Sequence, residues 1–300
     1  MNNGLLFNKT RIAPTPSGFV HLGNVLSFAI TAALAGKTKA RIVLRIDDNE
    51  RDKINKSHVQ DIFDTLNFLE IPWDEGPQNL WEYENEYSQL HRMDIYTKTL
   101  AQLKEHGNIF ACTCSRSQVM GRNKERVYPG TCRHSNIPYD TANACWRLLT
   151  NNTKELSVKT MDGKEIITRL PAVMQDFIVK KKDGYPAYQL TSVLDDIYFG
   201  IDLVVRGEDL WPSTLAQHYL ASVLQQDAFS GITFYHHPLL MAGDDKLSKT
   251  AGATSVQYYR SQHKKPADIY SMIARMLGIE ATPANWQELT TLLDIKMNMQ

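Results

Sequence analysis

The chain has 300 residues, 43% hydrophobic and 22% charged, enough apolar material for a sizeable core and too much for wholesale disorder. Lys plus Arg (33) equals Asp plus Glu (33), so no global basic field advertises a nucleic-acid partner. No apolar stretch reaches the roughly 18–20 residues that cross a bilayer, the N-terminus lacks the apolar region of a secretory signal, and four cysteines in so long a chain do not make a disulfide framework; a soluble cytoplasmic protein with no membrane partner is expected.

In chain order, residues 10–13 form a short strand, and residues 22–35 a helix of small and apolar residues ending at Gly36. The run A-R-I-V-L-R-I at 40–46 is β-branched and mostly apolar, as a buried parallel strand should be. Residues 57–69 repeat apolar residues at helical spacing, with Ser57 as the cap. After Cys114 the texture changes. Short segments at 165–168 and 176–179 sit between turn signals at Asp162-Gly163 and Asp183-Gly184, which suggests an antiparallel insertion. Alternation returns with a helix at 190–198, a strand at 202–205 and a helix at 213–225, and from Thr254 onward the chain reads as helices only. The expected architecture is an interrupted α/β sheet with a helical tail. Charge is uneven along it: residues 112–182 hold 13 Lys and Arg against 6 Asp and Glu, a net of +7 offset elsewhere. Such a segment either faces a polyanion or is a solvated lysine-rich surface.

The first chemical signal is Arg11-Ile-Ala13-Pro14-Thr15-Pro-Ser-Gly-Phe-Val-His21-Leu-Gly23-Asn24. A strand ends, two prolines and a glycine shape the loop, and a histidine and a glycine open a helix. A phosphate placed there meets unpaired N–H groups and the positive end of the helix dipole. Gly23 lets a nucleotide approach the backbone, and His21 adds a donor. The second signal is Cys112-Thr-Cys114, followed by Cys132: two thiols two residues apart and a third eighteen beyond can close a tetrahedral zinc site if a fourth ligand is supplied. His134 is the obvious chemical candidate for it. Cys145, in A-C-W-R-L-L, reads as ordinary core.

The stretch from Arg11 to Asn24 resembles the "HIGH" signature of class I aminoacyl-tRNA synthetases, in the R-x-A-P-x-P-S-G form of the glutamyl branch, with Asn24 replacing the last histidine. Lys246-Leu-Ser-Lys249-Thr, a commonplace exposed loop if taken alone, resembles that family's K-M-S-K-S. The segment Val205-Arg206-Gly-Glu-Asp209 is similar to V-x-R-G-x-D of glutamyl-tRNA synthetases, and Gly184-Tyr-Pro-Ala-Tyr188-Gln-Leu resembles their G-x-P-x-Y-x-L-A.

The resemblance implies a Rossmann-like parallel sheet interrupted by a zinc-bearing α+β insertion and followed by a helical C-terminal segment. The expected divisions are 1–105, 106–188, 189–243 and 244–300. It implies that Pro14, His21, Gly23, Asn24 and Lys249 bind ATP. His21, Lys246 and Lys249 would stabilise the reacting phosphates, with magnesium on the triphosphate. Arg11, Ala13, Thr15, Asp47, Tyr188 and Arg206 would hold the amino acid, with Arg11, Tyr188 and Arg206 converging on its side-chain carboxylate.

Two departures stand out. The family's R-I-E-D reads Arg45-Ile-Asp47-Asp48 here, and its usual serine is Thr15. Asp47 occupies the position that would bind the substrate α-ammonium, and an aspartate there looks like the glutaminyl form. Arg206 favours glutamate, because a guanidinium facing a neutral amide would be left unpaired.

The cysteines resemble the C-x-C, Y, x3, C pattern of the small glutamyl-Q tRNA(Asp) synthetases, which implies Cys112, Cys114, Tyr128 and Cys132 around one structural zinc. No residues remain for an anticodon-binding domain, so the expected acceptor is the queuosine base in the anticodon stem-loop of tRNA(Asp), loaded with L-glutamate through glutamyl-adenylate by a monomeric enzyme. Two other readings stay open: an amino-acid-activating ligase (glutamate or glutamine) with a different acceptor, and a zinc-bearing RNA-binding relic, against which intact His21 and Lys249 speak.

Overall fold

The computed structural model describes residues 5–49, 54–120, 127–242, 245–246 and 255–298. In chain order the main elements are β1 (Lys9–Ile12), α1 (Leu22–Thr38), β2 (Arg41–Leu44), α2 (Lys56–Phe68), α3 (Met93–Glu105), β3 (Ile109–Cys112), β4 (Cys145–Leu148), β5 (Glu155–Thr160) and β6 (Glu165–Arg169). They continue with β7 (Ile178–Lys180), α4 (Tyr188–Tyr198), β8 (Leu203–Gly207), α5 (Trp211–Val223), β9 (Thr233–His237), α6 (Val256–Ser261), α7 (Pro266–Met276) and α8 (Trp286–Asn298). The chain divides into two units, one holding residues 1–89, 202–208 and 236–300, the other 90–201 and 209–235.

The first unit is built on a βαβ crossover. β1 and β2 run parallel in the register Lys9↔Arg41 to Ile12↔Leu44, and β8 joins the other side of β1 at Thr10↔Leu203. Ile42, Val43 and Leu44 are all buried, as a strand covered on both faces requires. Asp202 fixes the entry of β8, its carboxylate accepting from the N–H groups of Asn8 (2.8 Å) and Lys9 (2.9 Å). Helix α1 runs past Gly36, where it was expected to stop. Thr38 is buried and its hydroxyl donates to Leu34 O (2.7 Å), so the last turn stays wound, and Lys39 ends it in the left-handed region at φ 62°. The cap of α2 is Asn55 rather than Ser57: the Asn55 side chain accepts from Ser57 N–H at 2.9 Å. The tail is helical, as expected, through α6, α7 and α8.

The second unit carries the antiparallel elements. β4 lies between β3 (Ile109↔Leu148 to Cys112↔Cys145) and β7 (Trp146↔Lys180). β5 and β6 form a hairpin whose Asp162-Gly163 turn places Gly163 at φ +76°, a conformation glycine adopts without strain. Helix α4 is fastened to α3 by a buried network: Arg92 donates to both carboxylate oxygens of Asp195 (2.8 and 3.0 Å), and the Tyr96 hydroxyl donates to Oδ1 (2.6 Å). Among the described residues no helix is long and apolar enough to cross a membrane.

Candidate active site

The loop leaving β1 leads straight into the cap of α1. His21 is the N-cap: its Nδ1 accepts from Gly23 N–H (3.1 Å), while the Asn24 side chain accepts from His21 N–H (3.1 Å). Histidine and asparagine three residues apart therefore make a reciprocal capping box. Because Nδ1 accepts, the ring proton of His21 sits on Nε2. A Cβ on Gly23 would lie 3.0 Å from the His21 ring, so any larger residue would need the imidazole to give by a few tenths of an ångström, a constraint separate from any nucleotide.

The same edge of the sheet gathers the expected amino-acid residues of the first unit. Asp47 N–H donates to Pro14 O (2.9 Å), which lays the segment after β2 against the loop holding Ala13, Pro14 and Thr15. Arg11 is 6% exposed and donates to Val205 O (3.0 Å); Arg206, the next residue of β8, is 3% exposed. Two guanidiniums thus lie buried on adjacent strands, where a carboxylate partner is worth more than at a surface.

Asp47 differs from a carboxylate waiting for an ammonium group. Arg45 grips it in a bidentate ion pair, Nε to Oδ1 at 2.7 Å and a second nitrogen to Oδ2 at 3.1 Å, with both side chains buried. Asp48 is wholly buried and accepts from Tyr83 O–H (2.8 Å), Ser88 O–H (2.5 Å) and Gln89 N–H (2.9 Å), which pins the strand end. The Arg45 partnership was not expected from the sequence, since both residues lie past the end of β2, where strand alternation no longer fixes which side chains share a face. Tyr188, in the second unit, opens α4 and is 38% exposed.

Of the lysine motif, Asp245 and Lys246 pair antiparallel with Met241 and Ala242, and Lys249 lies outside the described residues. Ser255 forms a β-bridge with His21, and Val256 N–H donates to Val20 O (2.8 Å). The start of α6 is therefore tied to the histidine turn.

In the second unit the sulfurs of Cys112, Cys114 and Cys132 all lie within 4.8 Å of one another, and Cys114 and Cys132 are 3.6 Å apart. Bonds of about 2.3 Å to a tetrahedral zinc would set sulfur pairs at about 3.8 Å, so the three thiols are close to the spacing one metal needs. The Tyr128 hydroxyl stands 3.4 Å from Cys112 Sγ and accepts from Cys132 N–H (2.9 Å). His134 is exposed and lies outside the cluster, so the phenol, not the imidazole, is at hand as a fourth group. The Arg147 guanidinium sits 3.8 Å from the Tyr128 ring centre, and hydrogen bonds, from Cys145 foremost, hold the Cys112 thiol well below its ordinary pKa. A thiolate is the form that ligates a metal. Burial pushes the Tyr128 phenol the other way, above the usual tyrosine value. Cys145 is buried, as expected of core, and donates to Cys112 O (3.3 Å).

The family model for the catalytic domain of class I tRNA synthetases (E and Q) matches residues 8–299. A glutamate–tRNA ligase of Anaeromyxobacter sp. (strain Fw109-5) is 31% identical over 278 residues, covering 89% of this chain and 57% of that protein. The chain thus spans little more than half the length of that relative. The glutamyl-Q tRNA(Asp) synthetase of Symbiobacterium thermophilum is 31% identical over 304 residues, covering 95% of this chain and 92% of that one. Among solved structures, the glutamate–tRNA synthetase of Elizabethkingia anophelis superposes with a TM-score of 0.70 at 21% identity over 94% of this chain and 64% of that one, a likeness of fold.

Proposed function

The chain belongs to the class I tRNA synthetases of the glutamate and glutamine type, and from that premise we propose that it joins L-glutamate to ATP as glutamyl-adenylate and passes the glutamyl group to the queuosine base of tRNA(Asp). The observation that carries the first half is the pair of buried arginines, Arg11 and Arg206, on adjacent strands beside the histidine-capped turn. A dicarboxylic amino acid offers the two guanidiniums a carboxylate for charge-assisted bonds, which a neutral amide does not.

The substrate α-carboxylate attacks the α-phosphorus of ATP and pyrophosphate leaves; no enzyme nucleophile is required. The chain binds and aligns. His21, with its proton on Nε2, donates to phosphate oxygens at the start of α1, whose dipole favours the same charge. Lys246 and Lys249 meet the charge that develops on the triphosphate, where magnesium accompanies ATP. Asp47, held by Arg45, offers the α-ammonium a carboxylate of fixed orientation.

In the second unit, Cys112, Cys114, Cys132 and Tyr128 would hold one zinc ion, and the cross-link it would supply is structural, between the end of β3 and the turn at Cys132. The acceptor half of the reading is supported by the likeness to the Symbiobacterium protein along nearly its whole length and by the tyrosine standing among the cysteines. The basic stretch at 112–182 supplies charge for RNA phosphates, so binding weakens with added salt.

Glutamate-dependent exchange of pyrophosphate into ATP tests activation, and is expected without any tRNA. Labelled glutamate should then appear on queuosine-containing tRNA(Asp) but not on unmodified tRNA(Asp) or tRNA(Glu). Label on the 3′ end of tRNA(Glu) would overturn the acceptor.

A further inference from the structure

Helix α2 buries Val59, Ile62, Phe63 and Leu66, and among them it buries one carboxylate, Asp61, 2% exposed. An ionised group on an apolar face is costly unless its partners repay desolvation, and burial does raise the Asp61 pKa above its ordinary value. The partners belong to two separate segments. Oδ2 accepts from Val20 N–H at 2.8 Å, and Oδ1 accepts from the Arg260 guanidinium at 2.5 Å. Arg260 also reaches Asp64 at 3.4 Å, and Thr65 O–H lies 3.5 Å from Oδ1.

Val20 immediately precedes His21, and Arg260 sits on α6, the helix that follows the lysine motif. The two segments also meet directly, through Val256 N–H to Val20 O (2.8 Å) and the His21–Ser255 bridge. Ser255 in turn caps α6, its hydroxyl accepting from Tyr258 N–H (3.1 Å). A closed ring results: Val20 to Asp61, Asp61 to Arg260, Arg260 along α6 to Val256, and Val256 back to Val20. Both polar groups of the Val20 backbone are used, and both hold the residue that delivers His21. Phe19 packs edge-on against His58 of α2, with ring centres 4.8 Å apart, and restrains the same approach.

We infer that Asp61 is a positioning residue for the nucleotide step: through Val20 and Arg260 it fixes the His21 turn and the start of α6 in one register. The inference rests on the proposed activation of glutamate by ATP. A residue that fixes only the nucleotide side should disturb ATP and leave the amino-acid side alone, and this separates it from an ordinary staple of the fold.

The test uses the full chain with Asp61→Asn, Arg260→Gln and the double substitution, followed by pyrophosphate exchange and amide hydrogen exchange. In Asp61→Asn, kcat/KM for ATP should fall roughly 10- to 100-fold, as small misplacements near reacting atoms do, while KM for glutamate stays within about twofold. Exchange at the Val20 amide should quicken in the same variant. Arg260→Gln keeps the Val20 bond, should reproduce part of the loss, and serves if Asp61→Asn does not fold. The double variant should be no worse than Asp61→Asn, because both act through one ring. Unchanged ATP kinetics with an unchanged Val20 amide would overturn the inference, and so would equal losses for ATP and glutamate. A wild-type chain that exchanges no pyrophosphate would fail the proposed function instead, and the amide measurement would still decide the Asp61–Val20 link.

Discussion

Arg206→Gln is the substitution that bears most directly on substrate choice. Arg206 is 3% exposed, on the strand next to Arg11, so a carboxylate placed against it has little water to compete with. A charge-assisted bond in such a setting is worth several times a surface ion pair, and cutting one partner from a buried, hydrogen-bonded charge pair costs about 2–5 kcal/mol. Taking about 3 kcal/mol, with 1.36 kcal/mol per tenfold in rate, glutamate should lose roughly 150-fold in kcat/KM. Glutamine bears no charge and loses no such contact, so its kcat/KM should hold or rise, and the ratio between the two should narrow by about the same factor. Arg11 is the poorer probe, since its guanidinium also holds Val205 O and its removal would loosen the sheet. The assay is pyrophosphate exchange with glutamate, glutamine and aspartate, for wild type and variant side by side. An unchanged glutamate-to-glutamine ratio would show that Arg206 does not read the side chain, and a wild-type preference for glutamine would sink the pocket assignment.

Lys249→Ala should lower adenylate formation by about 2.7–4 kcal/mol, the usual effect of removing one contact to developing charge, while the thermal midpoint stays put; wild-type rates of activation would count against the lysine motif. Protein purified without chelator should carry about one zinc per chain, lost in Cys114→Ser and Cys132→Ser; elemental analysis that finds no metal refutes the cluster. Tyr128→Phe should weaken metal retention against a competing chelator more than His134→Ala, because only the phenol lies beside the thiols. Asp195→Asn should destabilise the fold by about 3–5 kcal/mol in urea, since it leaves Arg92 buried without its counter-charge; a loss under about 1 kcal/mol would mean that water reaches the pair.

Several features are legible in the sequence because they are local. The C-x-C spacing sets two thiols side by side, and the three-residue step from His21 to Asn24 is the spacing of a capping box, although only the structure shows that Asn24 is used as one. The β-branched run at 40–46 announced a buried strand; Arg41–Leu44 form it, and the bonds from Arg45 N–H to Ile12 O and from Asp47 N–H to Pro14 O continue its pairing. Boundaries were less readable. Gly36 was expected to end α1, yet one glycine in a helix costs only about 1 kcal/mol relative to alanine, and the burial of Thr38 with its bond to Leu34 O outweighs it. Ser57 lost the cap to Asn55 because both are capping residues, and the choice depends on the path by which the chain enters the helix.

What the sequence by itself determined, then, is which chemical groups arrive together on one turn, one strand or one short loop, since rotation per residue and turn geometry fix those neighbours within a few positions. Tertiary structure alone decided which groups arrive together from afar. Arg11 reaches Val205 O across 194 residues, and Arg260 reaches Asp61 across 199. It also gave Asp47 to Arg45 and brought the Tyr128 phenol, not the His134 imidazole, to the thiols. Such contacts depend on the path of the chain between the partners, and they hold because a buried charge or polar atom must find a partner wherever the packing of the core leaves it.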